Sequence, residues 1–556
     1  MRFIGLLLLI ILSALFAGEP LVTSDQVDSY VIKGYEFSVK GKTKDFALRS
    51  VIVPSGGDPI FLSEEAMVEA LAAKKQLLVN KRIFTEVDFT YALDSYSRGT
   101  AYYIATFYVE DASTFLTIPY PKFDNDTVGL RLGVKMYDKN LFGTFSDLYI
   151  SGTVSQGNGG RTGWDNREDA LDVQISSLPI GKSFLDISFD YDRTKGSLDA
   201  GTFNFAFDWN NLVIKGSKLS IAPWGKFKPA SDFSSWNPDE YGVAWRLGPF
   251  KQNESTFSLY NQVKRYADLK RLYTLTYLDQ HGLTFFSHPI RFRISTESDA
   301  VVGSGALSSM NVGATLGTDF SLPFGFTWSS SVGAILHYSY NLTDIPVPYS
   351  YLLSNTLSKS NINWQGNFRK GIRFSLDYIT DLYPQDEYWE SKSTWYVATT
   401  LSWFPLATKY VNPSVQLRGF VADEKKRAYF SNITIADSMR GYLTNTVESM
   451  VLGLAREYGA VINLNLTSKF INFGFAKSYA SPFIDIGIFH DETNPDKPII
   501  ISSAGLDGWA ILNKFPSYPI RGSLGFNLQD VRKAIDKEKD FTEIEWELYI
   551  GMGLFF

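Results

Sequence analysis

The stretch that decides the fold is Glu543–Phe556, EIEWELYIGMGLFF. Glu543, Glu545 and Glu547 share one parity; Ile544, Trp546 and Leu548 share the other. Side chains of a strand alternate between its faces, so this segment carries one charged face and one apolar face. Such a strand suits a wall with water on one side and hydrocarbon on the other.

Working back from this segment, alternating runs of roughly eight to twelve residues recur to about Phe115, close to the ~9–11 that a tilted membrane strand needs. They include VGLRLGVKMYD (128–138), TFSDLYISGTVS (144–155), KSFLDISFDYD (182–192), TFNFAFDW (202–209), KRLYTLTYLDQ (270–280), IRFSLDYIT (372–380), STWYVATTLSW (393–403) and FIDIGIFH (483–490). In lipid an unpaired backbone group costs several kcal/mol, so a spanning sheet has to close. The expectation is a transmembrane antiparallel β-barrel of about 16 strands over residues 113–556, bacterial barrels using even numbers. A large soluble β-protein is the alternative, and the lack of a fixed repeat period argues against a propeller.

Composition narrows the classes. Aromatic residues reach 15%, with 42 Phe, 31 Tyr and 12 Trp, as expected of a barrel with aromatic rims. There is no cysteine, which excludes disulfides, thiolate metal sites and a lipid-modified N-terminal cysteine. The net charge is −6, with no basic footprint to suggest nucleic acid as a partner. Arg2, the apolar run Phe3–Leu12 and the small residues up to Gly18 read as a signal peptide over residues 1–18.

Residues 27–112 differ from the rest. YVIKGYEFSVK (30–40) is extended, Pro54–Gly57 is a helix breaker, and Ser63 followed by Glu64 and Glu65 is a helix start. Met67, Val68, Ala70, Leu71 and Leu77 supply the apolar side of that helix. FTEVDFTYAL (84–93) and TAYYIATFYVED (100–111) alternate as strands. The order strand, helix, helix, strand, strand describes a small α+β unit.

One decapeptide stands apart from the alternation: ADSMRGYLTN, 436–445. Its Met439, Arg440, Gly441 and Tyr442 resemble the arginine-glycine-aromatic signature of the BamA-like superfamily, the bacterial surface antigen barrels of outer-membrane protein assembly and translocation. SPFIDIGIF (481–489) resembles the strand that receives this signature, which points to Asp485 and Gly487. MYDKNLFG (136–143), LNL (464–466) and the segment ending at Phe556 also match, and residues 27–112 resemble a single POTRA domain. The resemblance implies a loop at about 430–447 folded into the lumen, with Arg440 reaching Asp485. It also implies a weak seam between the first and last barrel strands, at 128–138 and 543–556, softened by Gly551 and Gly553 and ending at Phe556. A guanidinium inside a barrel wants a planar acceptor, and a carboxylate supplies one.

Function is expected to follow: assembly, insertion or translocation of unfolded outer-membrane or secreted client polypeptides, without a cofactor. Outer-membrane lipid and periplasmic chaperones or accessory proteins are the further partners. The expected location is the bacterial outer membrane, with the N-terminal unit in the periplasm. A dedicated exporter for one partner protein and a passive or solute porin are the alternatives. The four histidines, His281, His288, His337 and His490, have no metal-site spacing, and no catalytic motif appears, so neither a metal nor an enzymatic activity is expected.

Overall fold

The computed structural model describes residues 27–552 apart from 55–56, 120–121, 125–128, 157–163, 165–166, 182, 195–201, 215–216, 230–235, 253–254, 267–268, 286–287, 304–305, 340–348, 384–391, 424–438, 442–456, 491–493 and 495–496. The signal-peptide reading, Tyr442 with most of the 430–447 loop, Gly553 and Phe556 lie outside the described residues. Two units separate at Asp111 and Ala112.

In the first unit Thr100–Asp111 is the central strand of three, parallel to Ser29–Lys40 and antiparallel to Phe84–Ser97. Two helices, Asp45–Ile52 and Glu64–Lys81, precede the hairpin. The Ser63 hydroxyl accepts from the Ala66 amide at 3.2 Å, satisfying one of the unpaired donors of the helix start. Met67, Leu71 and Leu78 form the buried stripe of the second helix, and Leu77 is exposed, which corrects the sequence reading. At 100° per residue Leu78 falls back on the Met67 face and Leu77 does not. These side chains and Leu48, Ile52, Ala105, Phe107 and Val109 make up the core. Asp58 ties the loop down, meeting Lys74 at 2.9 Å and accepting from the Tyr35 hydroxyl at 2.5 Å. Burial, and then this carboxylate, push the Tyr35 phenol above its usual pKa.

The second unit is one antiparallel sheet in chain order. Ladder registers run from Phe115–Pro119 and Lys122–Asp124 through to Trp546–Met552. The order then returns from Trp546–Met552 to the first segments, the order of a closed barrel. Twenty-four strand segments take part; Phe115–Pro119 with Lys122–Asp124, and Tyr349–Ser360 with Asn363–Gln365, continue one register along a shared neighbour. That leaves twenty-two places among the described residues, not about 16. The undercount arose largely between 281 and 371, where His288–Gly303, Ala306–Leu322, Phe326–Ser339 and Tyr349–Ser360 are strands, and also at Glu168–Ile180, Ser217–Pro229, Ile499–Leu512 and Ile520–Asn527. Many of their outward positions are Ala, Ser or Thr, such as Thr296, Ser298, Ala300 and Ala314, so the alternation is weak.

The seam also differs from expectation. Gly129–Leu141 is flanked on both sides, so the first place belongs to Phe115–Pro119 and Lys122–Asp124, where Pro119 and Pro121 hide the strand from sequence reading. At the other end the strand begins at Trp546, because Phe541–Glu543 is a 3-10 turn held by the Asp540 carboxylate, which accepts from the Thr542 amide at 2.9 Å.

Faces alternate as the sequence requires. Leu464, Leu466, Ile484, Leu506, Leu548 and Ile550 expose apolar side chains on one face. On the other, Asn463, Asn465, Phe483, Asp485, Ser503, Asp507, Arg521 and Ser523 are buried. Connections at one end are short, as at 142–145, Pro323–Gly325, 366–367 and 473–475, whereas residues 423–457 and 528–545 connect strands at the other. No described helix is long and apolar enough to cross a membrane.

Candidate functional site

Met439, Arg440 and Gly441 lie against the inner faces of the last strands. Asp485, on Ala476–Phe489, takes the guanidinium side-on: Nε donates to Oδ2 at 2.9 Å and Nη2 to Oδ1 at 2.5 Å. The Arg440 amide also donates to Oδ2, at 3.0 Å. Nη1 donates to Asn465 Oδ1 at 2.8 Å and to Asp507 Oδ2 at 2.7 Å. The Phe483 ring closes the stack, with its centroid 3.6 Å from the guanidinium carbon. Arg440 is 2% exposed and Asp485 fully buried. A buried charge is tolerable only when paired and hydrogen-bonded, and this seat supplies both.

The charges form an alternating chain. Arg521 Nη2 donates to the other oxygen of Asp507 at 3.0 Å, and the Arg521 guanidinium lies 5.1 Å over the Tyr549 ring of the last strand. Asp507 is thus shared by two arginines, and Arg440 by two carboxylates.

Glycines let the tip approach the wall. Gly441 has φ +82, and a Cβ there would sit 2.7 Å from the Phe526 backbone nitrogen. Facing it is Gly525, whose Cβ would meet the Gly441 nitrogen at 2.7 Å. The Gly441 amide donates to Glu547 Oε2 at 2.9 Å, on the last strand. Gly487 makes room for Met439, whose sulfur would lie 2.7 Å from a Cβ at that position. Two residues apart on a strand means one face, so Asp485 grips the arginine while Gly487 admits the neighbouring side chain.

The structure therefore brings Met439, Arg440, Gly441, Asp485 and Gly487 together. Gly551 lies elsewhere, opposite Arg521 in the final ladder. Sequence reading missed Asn465, Phe483, Asp507, Arg521 and Gly525, and gave Glu547 a lumen-side place without a partner. Their one available signal is parity: each occupies an inward position of its strand. Among the described residues no group of three acidic or histidine side chains could hold a metal. Among the described residues the arrangement is a buried network of charged hydrogen bonds that latches the Met439–Gly441 tip against the wall.

No family model and no curated protein matches the chain. Among solved structures it is similar to CdiB from Acinetobacter baumannii, at 10% identity over 87% of this chain and 74% of that one, with TM-score 0.32. It is also similar to BamA from Haemophilus ducreyi lacking POTRA domains 1–3, at 11% identity over 94% and 84%, with TM-score 0.24. The FrpB iron transporter from Neisseria meningitidis (F3-3 variant) is similar at 8% identity over 84% and 86%, with TM-score 0.46.

Proposed function

We propose that the large unit spans a bacterial outer membrane as a closed barrel of the BamA-like superfamily. In this reading it inserts client polypeptides into that membrane or passes them across it. The small unit is a POTRA-like domain in the periplasm that receives them. The observation that carries the membrane part is the outward apolar face, with Leu132, Val134, Val332, Leu336, Leu466 and Ile550 all exposed. An apolar belt of this extent belongs against lipid. Strand length agrees: the 13 residues of Gly129–Leu141, at ~3.3 Å each and tilted ~40°, span about 33 Å, enough for a hydrocarbon core of ~30 Å. Short connections at one end and longer ones at the other suit periplasmic turns and outer loops.

The transport part rests on the latch. Through Gly441 and Glu547 the loop tip is bonded to the last strand, which lies beside the sheet's first place, Phe115–Pro119 with Lys122–Asp124. That junction is where the sheet's first and last places meet, and an incoming client strand can pair there by edge addition. Loop position and seam state are then coupled.

A second reading is favoured by one observation, the twenty-two strand places. Outer-membrane barrels of that width are transporters whose lumen holds a plug, and the latched loop could act as part of one. The experiment is a cysteine pair placed across Lys122–Asp124 and Trp546–Met552, combined with depletion and quantification of all outer-membrane proteins. Under the proposal, disulfide locking stops client insertion and depletion lowers many outer-membrane proteins. Loss of one secreted species alone marks a dedicated exporter. Unchanged outer-membrane proteins with impaired solute uptake establish the second reading and overturn the first.

A further inference from the structure

Beside the Arg440 seat the inner wall leaves a cavity of ≈ 40 Å³, lined among others by Arg369, Ser414, Asn465, Asp507 and Arg521. Asn465 orients itself unambiguously. Its Oδ1 accepts from Arg440 Nη1 at 2.8 Å, and a guanidinium can only donate. The NH2 therefore occupies the other terminal position on Cγ, in the same amide plane. Nδ2 has no hydrogen-bond partner, although Asn465 is only 8% exposed. A buried amide of this kind carries a desolvation penalty until something accepts from it.

The charge of the lining identifies the acceptor. Arg369 and Arg521 bring two guanidinium groups, and Asp507 is the one carboxylate. That carboxylate is committed on both oxygens, to Arg440 and to Arg521. Arg369 lies with its guanidinium carbon 4.4 Å over the Phe404 ring, which fixes its plane at the cavity wall. Ser414, 5% exposed, adds a hydroxyl that can turn to donate. The lining is donor-rich and net positive. At ~10–15 Å³ for one water position, the volume suits a small ion.

We propose that this cavity binds one small monovalent anion of the halide class, chloride in ordinary buffers, held by the Arg369 guanidinium and the Asn465 amide. Because Asn465, Asp507 and Arg521 also belong to the Arg440 network, the anion strengthens the seat of the loop tip. The inference is independent of whether the chain handles proteins or solutes.

The test uses the full chain in detergent at equal ionic strength in sodium chloride, bromide or methanesulfonate. Crystals in bromide are expected to show an anomalous peak in the cavity, within hydrogen-bond reach of Asn465 Nδ2. The unfolding midpoint is expected to rise with halide over methanesulfonate, and Ser414→Val to shrink that rise. Arg369→Met should abolish both signals; should it fail to fold, Ser414→Val carries the comparison. The bromide peak decides the site, and the midpoint decides its coupling to the latch. Density that refines as water with no anomalous signal overturns the site. Equal midpoints in all three salts overturn the coupling.

Discussion

Replacing Arg440 by methionine removes four side-chain hydrogen bonds, two to Asp485 and one each to Asp507 and Asn465. At ~1.5–3 kcal/mol per bond to a charged group, simple addition gives roughly 6–12 kcal/mol. That overshoots, because desolvation of the arginine is recovered when it goes. Breaking a buried pair by deleting one partner costs roughly 3–5 kcal/mol, and this is the expected loss. At ~1.4 kcal/mol per factor of ten, the ratio of docked to undocked loop falls by roughly two to three and a half orders of magnitude. The cost comes mostly from Asp485, left buried without a cationic partner, since Asp507 keeps Arg521. Asp485→Asn should therefore rescue the arginine variant. A double-mutant cycle of Arg440→Met and Asp485→Asn, read by urea unfolding in lipid vesicles and by protease protection of the loop, is expected to be non-additive by about 2–3 kcal/mol. If the double variant costs the sum of the singles within ~0.5 kcal/mol, the two residues do not act as a pair and the latch is refuted.

Arg440→Lys retains charge but loses the planar fork, so it should weaken the seat by roughly 2 kcal/mol and leave the loop more protease-sensitive than wild type. Gly441→Ala and Gly525→Ala should each undock the tip, since their added Cβ atoms meet backbone, whereas Gly474→Ala, at φ +78 in open space, should cost only about 1–2 kcal/mol of backbone strain; limited proteolysis separates the three. Glu547→Gln keeps an acceptor for the Gly441 amide and should preserve loop protection, while Glu547→Leu should lose it. Asp111→Ala removes the acceptor of the Lys42 and Thr43 amides and the Thr43 hydroxyl, and should destabilise the small unit by roughly 1–3 kcal/mol in a urea titration with the barrel signal unmoved.

Much of the wall was legible because a strand exposes its pattern locally. Trp546, Leu548 and Ile550 against Glu547 and Tyr549 is a period of two that needs no other part of the chain to be read. Where the outward residues are Thr296, Ser298 and Ala300 the same geometry leaves no contrast, and strands there went uncounted. The seam was misplaced for a related reason. Phe115–Pro119 and Lys122–Asp124 are joined into one place only by their shared register against Gly129–Leu141, a long-range fact.

The sequence by itself determined the two faces of each alternating strand, the helix start at Ser63, and the motif order of Arg440 before Asp485 and Gly487. Only the tertiary structure decided that Asn465, Asp507, Arg521, Gly525 and Glu547, from four strands, gather around the Arg440–Gly441 tip. Inward parity allows any of dozens of polar side chains to share a site, and strand register alone selects which do. Register is set by cooperative pairing around the whole sheet, and no short stretch of sequence contains it.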